Sequence, residues 1–169
     1  MTSASADGAA VPIVEVTRTF CFSAAHRMHN PSLSAAENRR LYGRCNHPGG
    51  HGHTYRLDVT VRGPITPETG ALAEAEPLAQ VVQDRILERF DHADLDRLIA
   101  PADGVTSTTE VLTGLLWRIL DEALPPGCLS RLRVEETPNN FFEMNREGRG
   151  CARSSPPNGP RASGSGKRA

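Results

Sequence analysis

The chain has 169 residues, of which 38% are hydrophobic and 23% charged, and its formal net charge at pH 7 is −1. These fractions are typical of one soluble globular domain, and no apolar run approaches the roughly 20 residues that a membrane-spanning helix needs. The N-terminal MTSASADGAA has neither a basic start nor an apolar stretch. We therefore expect no secretory signal, a cytoplasmic protein, no membrane partner, and cysteines kept as thiols.

The two ends of the chain differ in composition from the part between them. Residues 1–10 are small and polar, and residues 149–169 are rich in Gly, Pro, Ser and Arg without apolar periodicity. Both ends are therefore expected to be disordered, with one folded domain over residues 11–148. The tail is basic, but a short disordered basic segment gives only weak, salt-sensitive attraction to nucleic acid, so we expect no nucleic-acid partner.

Two strands are predicted in the first part of the domain, and three histidines lie on their apolar faces. From Val14 to His26 the even positions are mostly apolar, and from Tyr55 to Val61 the odd positions are apolar. Because side chains alternate between the two faces of a strand, His26 shares the apolar face of the first strand. His51 and His53 have the same parity as the apolar residues of the second.

Two helices and a hairpin are predicted in the rest of the domain. The first helix has an apolar face that ends near Phe90, and the second has Ser107 and Glu110 placed as a capping box. The apolar positions of these helices are Leu78, Val81, Val82, Ile86 and Phe90, then Val111, Leu112, Leu115, Leu116, Ile119 and Leu120. A strand through RLRVEET and its return from Phe141 to Met144 form the hairpin. This order predicts an α+β domain, a four-stranded antiparallel sheet with two helices on one face.

The three histidines have the residue type and spacing of a metal site. Three neutral imidazoles leave one tetrahedral position of a zinc ion open, which is typical of catalytic rather than structural sites. Two alternatives remain open from the residues alone. Each histidine could instead be satisfied by hydrogen bonds, or Cys45 could join the three as the fourth ligand of a structural zinc in a module that is not an enzyme.

Five motifs follow one another along the chain and carry a resemblance to a known family. They are FSAAHR (22–27), CNHPGGHGH (45–53), DH (91–92), TSTTE (106–110) and ETPNN (136–140). In these motifs the chain resembles the 6-pyruvoyltetrahydropterin and 6-carboxytetrahydropterin synthases over about residues 11–145. The resemblance implies the tunnelling fold (T-fold), in which sheets join into a barrel in a trimer, trimers stack into hexamers, and sites lie between subunits.

The resemblance also assigns roles to residues. It implies zinc ligation by His26, His51 and His53, a catalytic thiol at Cys45, and an assisting pair, Asp91 with His92. It further implies that Glu136 anchors the pterin ring in a pocket lined by Thr108, Thr109 and Glu110. Without the resemblance, Asp91 and His92 would be interpreted as residues that compensate a helix end, and the capping box would account for Glu110.

The implied substrate is 7,8-dihydroneopterin triphosphate, converted to 6-pyruvoyltetrahydropterin with loss of triphosphate. The five residues between Cys45 and His51 favour this branch, since the carboxy-forming enzymes typically have three. We therefore predict a carbon–oxygen lyase acting on phosphates, in tetrahydrobiopterin biosynthesis. The alternative is the carbon–carbon lyase 6-carboxytetrahydropterin synthase of queuosine biosynthesis, which releases acetaldehyde and triphosphate from the same substrate.

Arginines are concentrated around the second motif. Between residues 27 and 62 only Glu37 and Asp58 oppose Arg27, Arg39, Arg40, Arg44, Arg56 and Arg62. This region could attract a phosphorylated small molecule. Arginine also makes up 18 of the 19 basic residues, so scattered arginines explain the region equally well. His29 and His47 match no ligand of the family and are expected in loops, where His47 could contact phosphate.

Overall fold

The structure is a computed structural model, which describes residues 11–99 and 106–146. The predicted disordered ends, residues 1–10 and 149–169, lie outside these ranges. In the part of the chain that is described, no helix is long and apolar enough to cross a membrane.

Four long strands and a set of helices make up the described residues. The long strands are β1 (Ile13–His26), β2 (His51–Thr66), β5 (Leu129–Thr137) and β6 (Asn140–Asn145), and the two-residue strands are β3 (Ala71–Leu72) and β4 (Ala93–Asp94). The helices are α1 (Ala35–Tyr42), α2 (Leu78–Val82), α3 (Glu88–Phe90), α4 (Leu95–Ile99) and α5 (Thr109–Ala123). A π-helical turn, Gln83–Leu87, joins α2 to α3, and 3-10 turns occupy Gly43–Asn46 and Ala73–Ala75.

The α+β fold is confirmed, with a strand order of β4-β1-β2-β5-β6 and β3 paired to β2. The long strands are the four predicted ones, and they pair antiparallel. The count of four is too low because β3 and β4 were missed. Two residues are too short to show a strand period in the sequence, so their pairing with β2 and β1 becomes visible only in the structure.

The pairing of β1 with β2 is unbroken and long. It runs from Ile13 opposite Pro64 to His26 opposite His51, without a register shift. Because both strands alternate strictly between faces, this register places the apolar face of β1 and that of β2 on the same side of the sheet.

Both predicted helices pack on that apolar face. Phe22 stacks on Tyr55 with ring centroids 5.2 Å apart, and Phe90 of α3 lies 6.4 Å from Phe22. The helix residues that are fully buried against the sheet are Leu78, Val82, Ile86, Phe90, Leu112, Leu116 and Leu120. The opposite face of the sheet is polar, since Thr17 shares a hydrogen bond with Thr60 and the Thr19 hydroxyl donates to Asp58.

The N-termini of two helices differ from the predictions. The capping box at Ser107 and Glu110 is wrong, because the N-cap of α5 is Thr108, whose hydroxyl accepts from the Val111 amide. The Ser107 hydroxyl donates to Asp96 instead. Helix α1 was not predicted, although Ser34 and Glu37 form a reciprocal capping box at its start.

Gly50 holds the turn that starts β2 against the end of β1. Its φ is +67°, and a Cβ at this position would lie 3.1 Å from the backbone oxygen of His26. We predict that Gly50→Ala lowers the free energy of unfolding by about 1–3 kcal/mol, because a left-handed backbone and a close contact are imposed together. Urea denaturation followed by circular dichroism measures the loss.

Gly49→Ala is the matched control for this prediction. Its Cβ would meet only the flexible His47 ring, 3.3 Å away, and its φ is not in the left-handed region. A loss below about 0.5 kcal/mol is expected. Equal stability of the two variants would show that the Gly50 turn is not constrained as described.

Candidate active site

Three imidazoles converge where β1 ends and β2 begins. The ring centroids of His26 and His51 are 4.6 Å apart, those of His51 and His53 4.9 Å, and those of His26 and His53 5.4 Å. One nitrogen from each ring lies within 4.8 Å of the others. The three histidines therefore converge, as the parity of their positions predicted.

The tautomer of His26 is fixed by a hydrogen bond from behind the ring. His26 is buried, and its Nδ1 donates to the Ser107 carbonyl oxygen at 2.7 Å. Its Nε2 therefore carries the lone pair and points into the cluster. Ser107 is itself held by Asp96, whose carboxylate also accepts from the Arg27 amide at 2.9 Å.

Each ring of the cluster has a nitrogen that is buried and unpartnered. Among the described residues, His26 Nε2, His51 Nδ1 and His53 Nε2 have no hydrogen-bond partner. Burial lowers the pKa of His51 and of His53, and the neighbouring His26 lowers both further. Neutral imidazoles are the form that binds metal ions, so the cluster fits a divalent metal ion.

Glu136 on β5 lies beside the cluster. Its Oε1 is 3.6 Å from His26 Nε2 and 3.7 Å from His53 Nε2. The Thr109 hydroxyl donates to Oε1 at 2.8 Å, and the Asn140 amide donates to Oε2 at 3.0 Å. Two donors from α5 and β6 thus fix the orientation of a carboxylate that is only 14% exposed.

The neighbouring Glu135 points to the other face of the sheet, as the strand alternation predicts. Its Oε2 accepts from Arg133 at 3.2 Å. Below the cluster, the ring of Tyr55 lies 5.7 Å from that of His53 and is fully buried. Burial raises the pKa of Tyr55, so its phenol stays protonated and the floor of the site carries no charge.

Asp91 and His92 lie together at the edge of β1. The Ser23 amide donates to Asp91 Oδ1 at 2.8 Å, and the His92 amide donates to the Ser23 carbonyl at 2.6 Å. The His92 Nε2 is 3.6 Å from Asp91 Oδ2, and its side chain is 84% exposed. His92 has a φ of +56°, an uncommon value for a residue with a side chain. It lines a cavity of about 400 Å³ together with His53.

Cys45 lies in the turn that precedes the two histidines of β2. It is half-buried in the 3-10 turn before β2, and its carbonyl accepts from the Met28 amide at 2.9 Å. Among the described residues, its thiol forms no hydrogen bond with the histidines, Asp91 or His92. Cys45 is also not a member of the group that could hold a metal ion, which consists of the three histidines.

The TSTTE segment contributes two residues to the site, Ser107, whose carbonyl accepts from His26, and Thr109. Thr109 is buried and holds Glu136, while Thr108 is half-buried and caps α5. Glu110 is exposed, and no described contact joins it to the cluster. Thr109 and Glu136 therefore meet beside the histidines. Among the described residues, no hydrogen bond joins Cys45 or Glu110 to the cluster.

Three residues of the site were missed in the sequence. Asp96 and Ser107 orient His26, and Asn140 orients Glu136. Asn140 stands in the ETPNN motif, two residues past Pro138, and its place at the hairpin turn could have indicated a role. Asp96 and Ser107 act through contacts across the fold that no local pattern predicts.

These features define a T-fold protein with a group of three histidines on its paired strands that could bind a metal ion. The family model described as 6-pyruvoyl tetrahydropterin synthase matches residues 15–147. The chain belongs to this family, as its motifs predicted, and the predicted enzyme class, a carbon–oxygen lyase acting on phosphates, is confirmed with it.

Individual relatives agree with this assignment. The 6-pyruvoyl tetrahydrobiopterin synthase of Homo sapiens is 40% identical over 127 residues, which cover 75% of this chain and 88% of the relative. The Drosophila melanogaster protein of the same name is 39% identical and covers 78% of this chain and 79% of its own. The solved 6-pyruvoyl tetrahydropterin synthase of Caenorhabditis elegans has a TM-score of 0.74 at 34% identity, covering 80% of this chain and 96% of that one.

We predict that His51→Ala removes metal binding. The variant loses one of three ligands, so affinity for a divalent ion is expected to fall at least about 100-fold. The metal content after dialysis and the rise in melting temperature on adding zinc measure the loss. His47→Ala removes a histidine four residues earlier that is outside the cluster. This variant should keep both the metal content and the rise in melting temperature. Unchanged metal binding by His51→Ala would contradict the site.

Proposed function

We propose that this protein is a zinc-dependent enzyme that converts 7,8-dihydroneopterin triphosphate to 6-pyruvoyltetrahydropterin and triphosphate. One observation carries the proposal: an oriented carboxylate, Glu136, lies within 3.7 Å of a group of three histidines with unpartnered nitrogens. The pterin ring of the substrate has N–H donors that a carboxylate can accept. The side chain attached to the ring has hydroxyl groups that a metal ion can bind.

Glu136 is proposed to anchor the pterin ring. The 2-amino group and N3–H of a pterin are two adjacent donors, which match the two oxygens of one carboxylate. Thr109 and Asn140 already hold Glu136 in one orientation, so little side-chain freedom is lost when the ring binds. Each carboxylate oxygen has more than one lone pair, so both oxygens of Glu136 can accept from the ring as well as from Thr109 and Asn140.

His26, His51 and His53 are proposed to hold the zinc ion. A zinc ion bound there would supply Lewis acidity, lowering the pKa of side-chain hydroxyls and stabilising negative charge on their oxygens. The Ser107 carbonyl keeps His26 in the tautomer that ligation requires. The lowered pKa of His51 and His53 keeps the other two rings unprotonated near neutral pH.

Cys45 is proposed as the general base. Its thiolate would take a proton from a C–H bond next to a side-chain hydroxyl, while triphosphate departs with the C–O bond electrons. The product and triphosphate together contain every atom of the substrate, so no outside oxidant and no water is consumed. Asp91 and His92 would assist the proton transfer.

The proposed site is shared between subunits. Within one described chain the Cys45 thiol contacts neither Asp91 nor His92, so a neighbouring subunit would supply the pair. A trimer, or a hexamer made of two trimers, meets this need. The edge strand β6 has apolar side chains exposed for such contact, Phe141 at 48% and Met144 at 36%. A cytoplasmic location belongs to the same proposal.

The pyruvoyl product is favoured over the carboxy product. The spacing from Cys45 to His51 is that of the pyruvoyl branch, and the relatives reported above carry the pyruvoyl name. The alternative, 6-carboxytetrahydropterin synthase, uses the same substrate and would release acetaldehyde as well as triphosphate.

We predict that Glu136→Gln weakens pterin binding by about 10–100-fold, because a neutral amide cannot accept both ring donors. The dissociation constant of dihydroneopterin measures this effect without turnover. Glu135→Gln is the control, since it makes the same change on the same strand but on the opposite face, and it should bind within about twofold of wild type. An equal loss in both variants would exclude Glu136 as the anchor.

We further predict that Cys45→Ala loses at least about 100-fold in kcat while its dihydroneopterin affinity is kept, because only the base is removed. Cys21→Ala, which removes an exposed thiol from β1, should retain activity. Mass spectrometry of the wild-type reaction should give 6-pyruvoyltetrahydropterin. A dominant 6-carboxytetrahydropterin would reject the proposed product, and full activity of Cys45→Ala would reject the proposed base.

A further inference from the structure

A second cavity of about 680 Å³ lies next to the histidine cluster, between α1, the 3-10 turn and the start of β2. Its charged and titratable lining consists of Arg27, Arg39, Arg44, His29, His47 and His51. No described carboxylate lines it. We propose that this cavity, called here the arginine cavity, binds the triphosphate group of the substrate. This inference rests on the proposed function and assigns a second part of the same site.

The arginine cavity has the charge and the size for such a group. A triphosphate ester carries about four negative charges, and guanidinium groups bind phosphate oxygens with two parallel hydrogen bonds. Three arginines around one cavity can satisfy several oxygens together. A volume of this size is within the range of small-molecule sites.

The guanidinium groups are available for a ligand. Arg39 and Arg44 are exposed, and in the described part of the chain neither forms an ion pair. Arg27 is half-buried and uses Nε to donate to the Asn46 carbonyl at 3.1 Å. This bond fixes the Arg27 side chain while its terminal nitrogens remain without a described contact. The nearby Asp96 carboxylate is occupied by the Arg27 amide and the Ser107 hydroxyl.

The position of the arginine cavity matches the layout of the substrate. Glu136 contacts His26 and His53, whereas the cavity is bounded by His51. The site therefore runs from a carboxylate, through the histidine cluster, to the arginines. The substrate runs in the same order from a pterin ring, through a three-carbon hydroxylated chain, to a triphosphate.

Two neighbouring arginines on α1, Arg39 and Arg40, can test whether the arginine cavity binds phosphate. Arg39 lines the arginine cavity and Arg40 does not, although both are exposed and belong to the last turn of the same helix. Arg39→Gln and Arg40→Gln thus change net charge and helix electrostatics equally. Only the first removes a proposed phosphate ligand.

The experiment compares two fluorescent oxidised pterins, neopterin and neopterin triphosphate, bound to the zinc-loaded protein. We expect wild type to prefer the triphosphate by at least about tenfold. Arg39→Gln and Arg44→Gln should each weaken triphosphate binding by about fivefold or more, and neopterin binding by less than twofold. Arg40→Gln should stay within twofold for both pterins. Added salt should weaken only the triphosphate complex strongly.

Several results would overturn the proposal. Equal losses for both pterins would make Arg39 and Arg44 structural residues, and an equal loss in Arg40→Gln would reduce the arginines to a general positive field. Wild type that does not prefer the triphosphate would exclude the subsite altogether.

The failure of the subsite and the failure of the proposed function are distinguishable. If substrate is converted but KM is unchanged in Arg39→Gln and Arg44→Gln, the subsite is wrong and the function stands. If arginine-dependent triphosphate binding occurs without any 6-pyruvoyltetrahydropterin, the function is wrong and the subsite stands. If neither pterin binds, inorganic tripolyphosphate titrated into the zinc-loaded protein must show the same arginine dependence, or the subsite is rejected.

Discussion

The register of β1 against β2 is the constraint on which the site depends. The last pair of this ladder places His26 opposite His51, and Ala24 two residues earlier lies opposite His53. Since neighbouring strands are only about 5 Å apart, three imidazoles on one face of this corner must meet. A slip of one residue would turn the histidines of one strand to the polar face. The long unbroken pairing and the apolar residues that precede the histidines make such a slip costly.

The same packing gives the histidines their chemistry. Burial against the apolar layer beneath them, with Tyr55 and Phe22 stacked and Phe90 behind, makes protonation of His51 and His53 unfavourable. The carboxylates of Glu136 and Asp96 favour protonation, but burial outweighs them and the pKa of both histidines is lowered. His51 and His53 are thus held neutral, with lone pairs available. A site of this kind is prepared for a cation before any cation binds, which limits the ordering cost of metal binding.

The strand alternation in the sequence predicted the position of the histidines correctly. The helix cap, which has no such periodicity, was predicted wrongly. The parity of His26, His51 and His53 sufficed to place all three on one buried face. The spacing Ser-x-x-Glu occurs at Ser34 and again at Ser107, yet only the first forms a capping box. At Ser107 the hydroxyl is taken by Asp96, a residue eleven positions earlier, and Thr108 caps the helix instead. The Ser-x-x-Glu spacing cannot predict whether the serine hydroxyl caps the helix or bonds to a residue elsewhere in the fold.

The arginines also show what the sequence alone could not predict. Their abundance near the second motif was visible in the composition, but a cavity requires α1, and α1 was not predicted. Folding places Arg39 and Arg44 around one cavity and leaves Arg40 outside it. A cluster of arginines in a sequence therefore indicates attraction to anions. Only the fold shows which arginines line a cavity and which are exposed outside it.

Three imidazoles that bind one cation and leave a coordination position for substrate have a distinct spectroscopic signature. X-ray absorption at the zinc edge of the loaded protein should show three imidazole nitrogens at about 2.0–2.1 Å and one oxygen, with no sulfur. A zinc–sulfur distance of about 2.3 Å, assigned to Cys45 by its loss in Cys45→Ala, would instead indicate a closed structural site without a position for substrate.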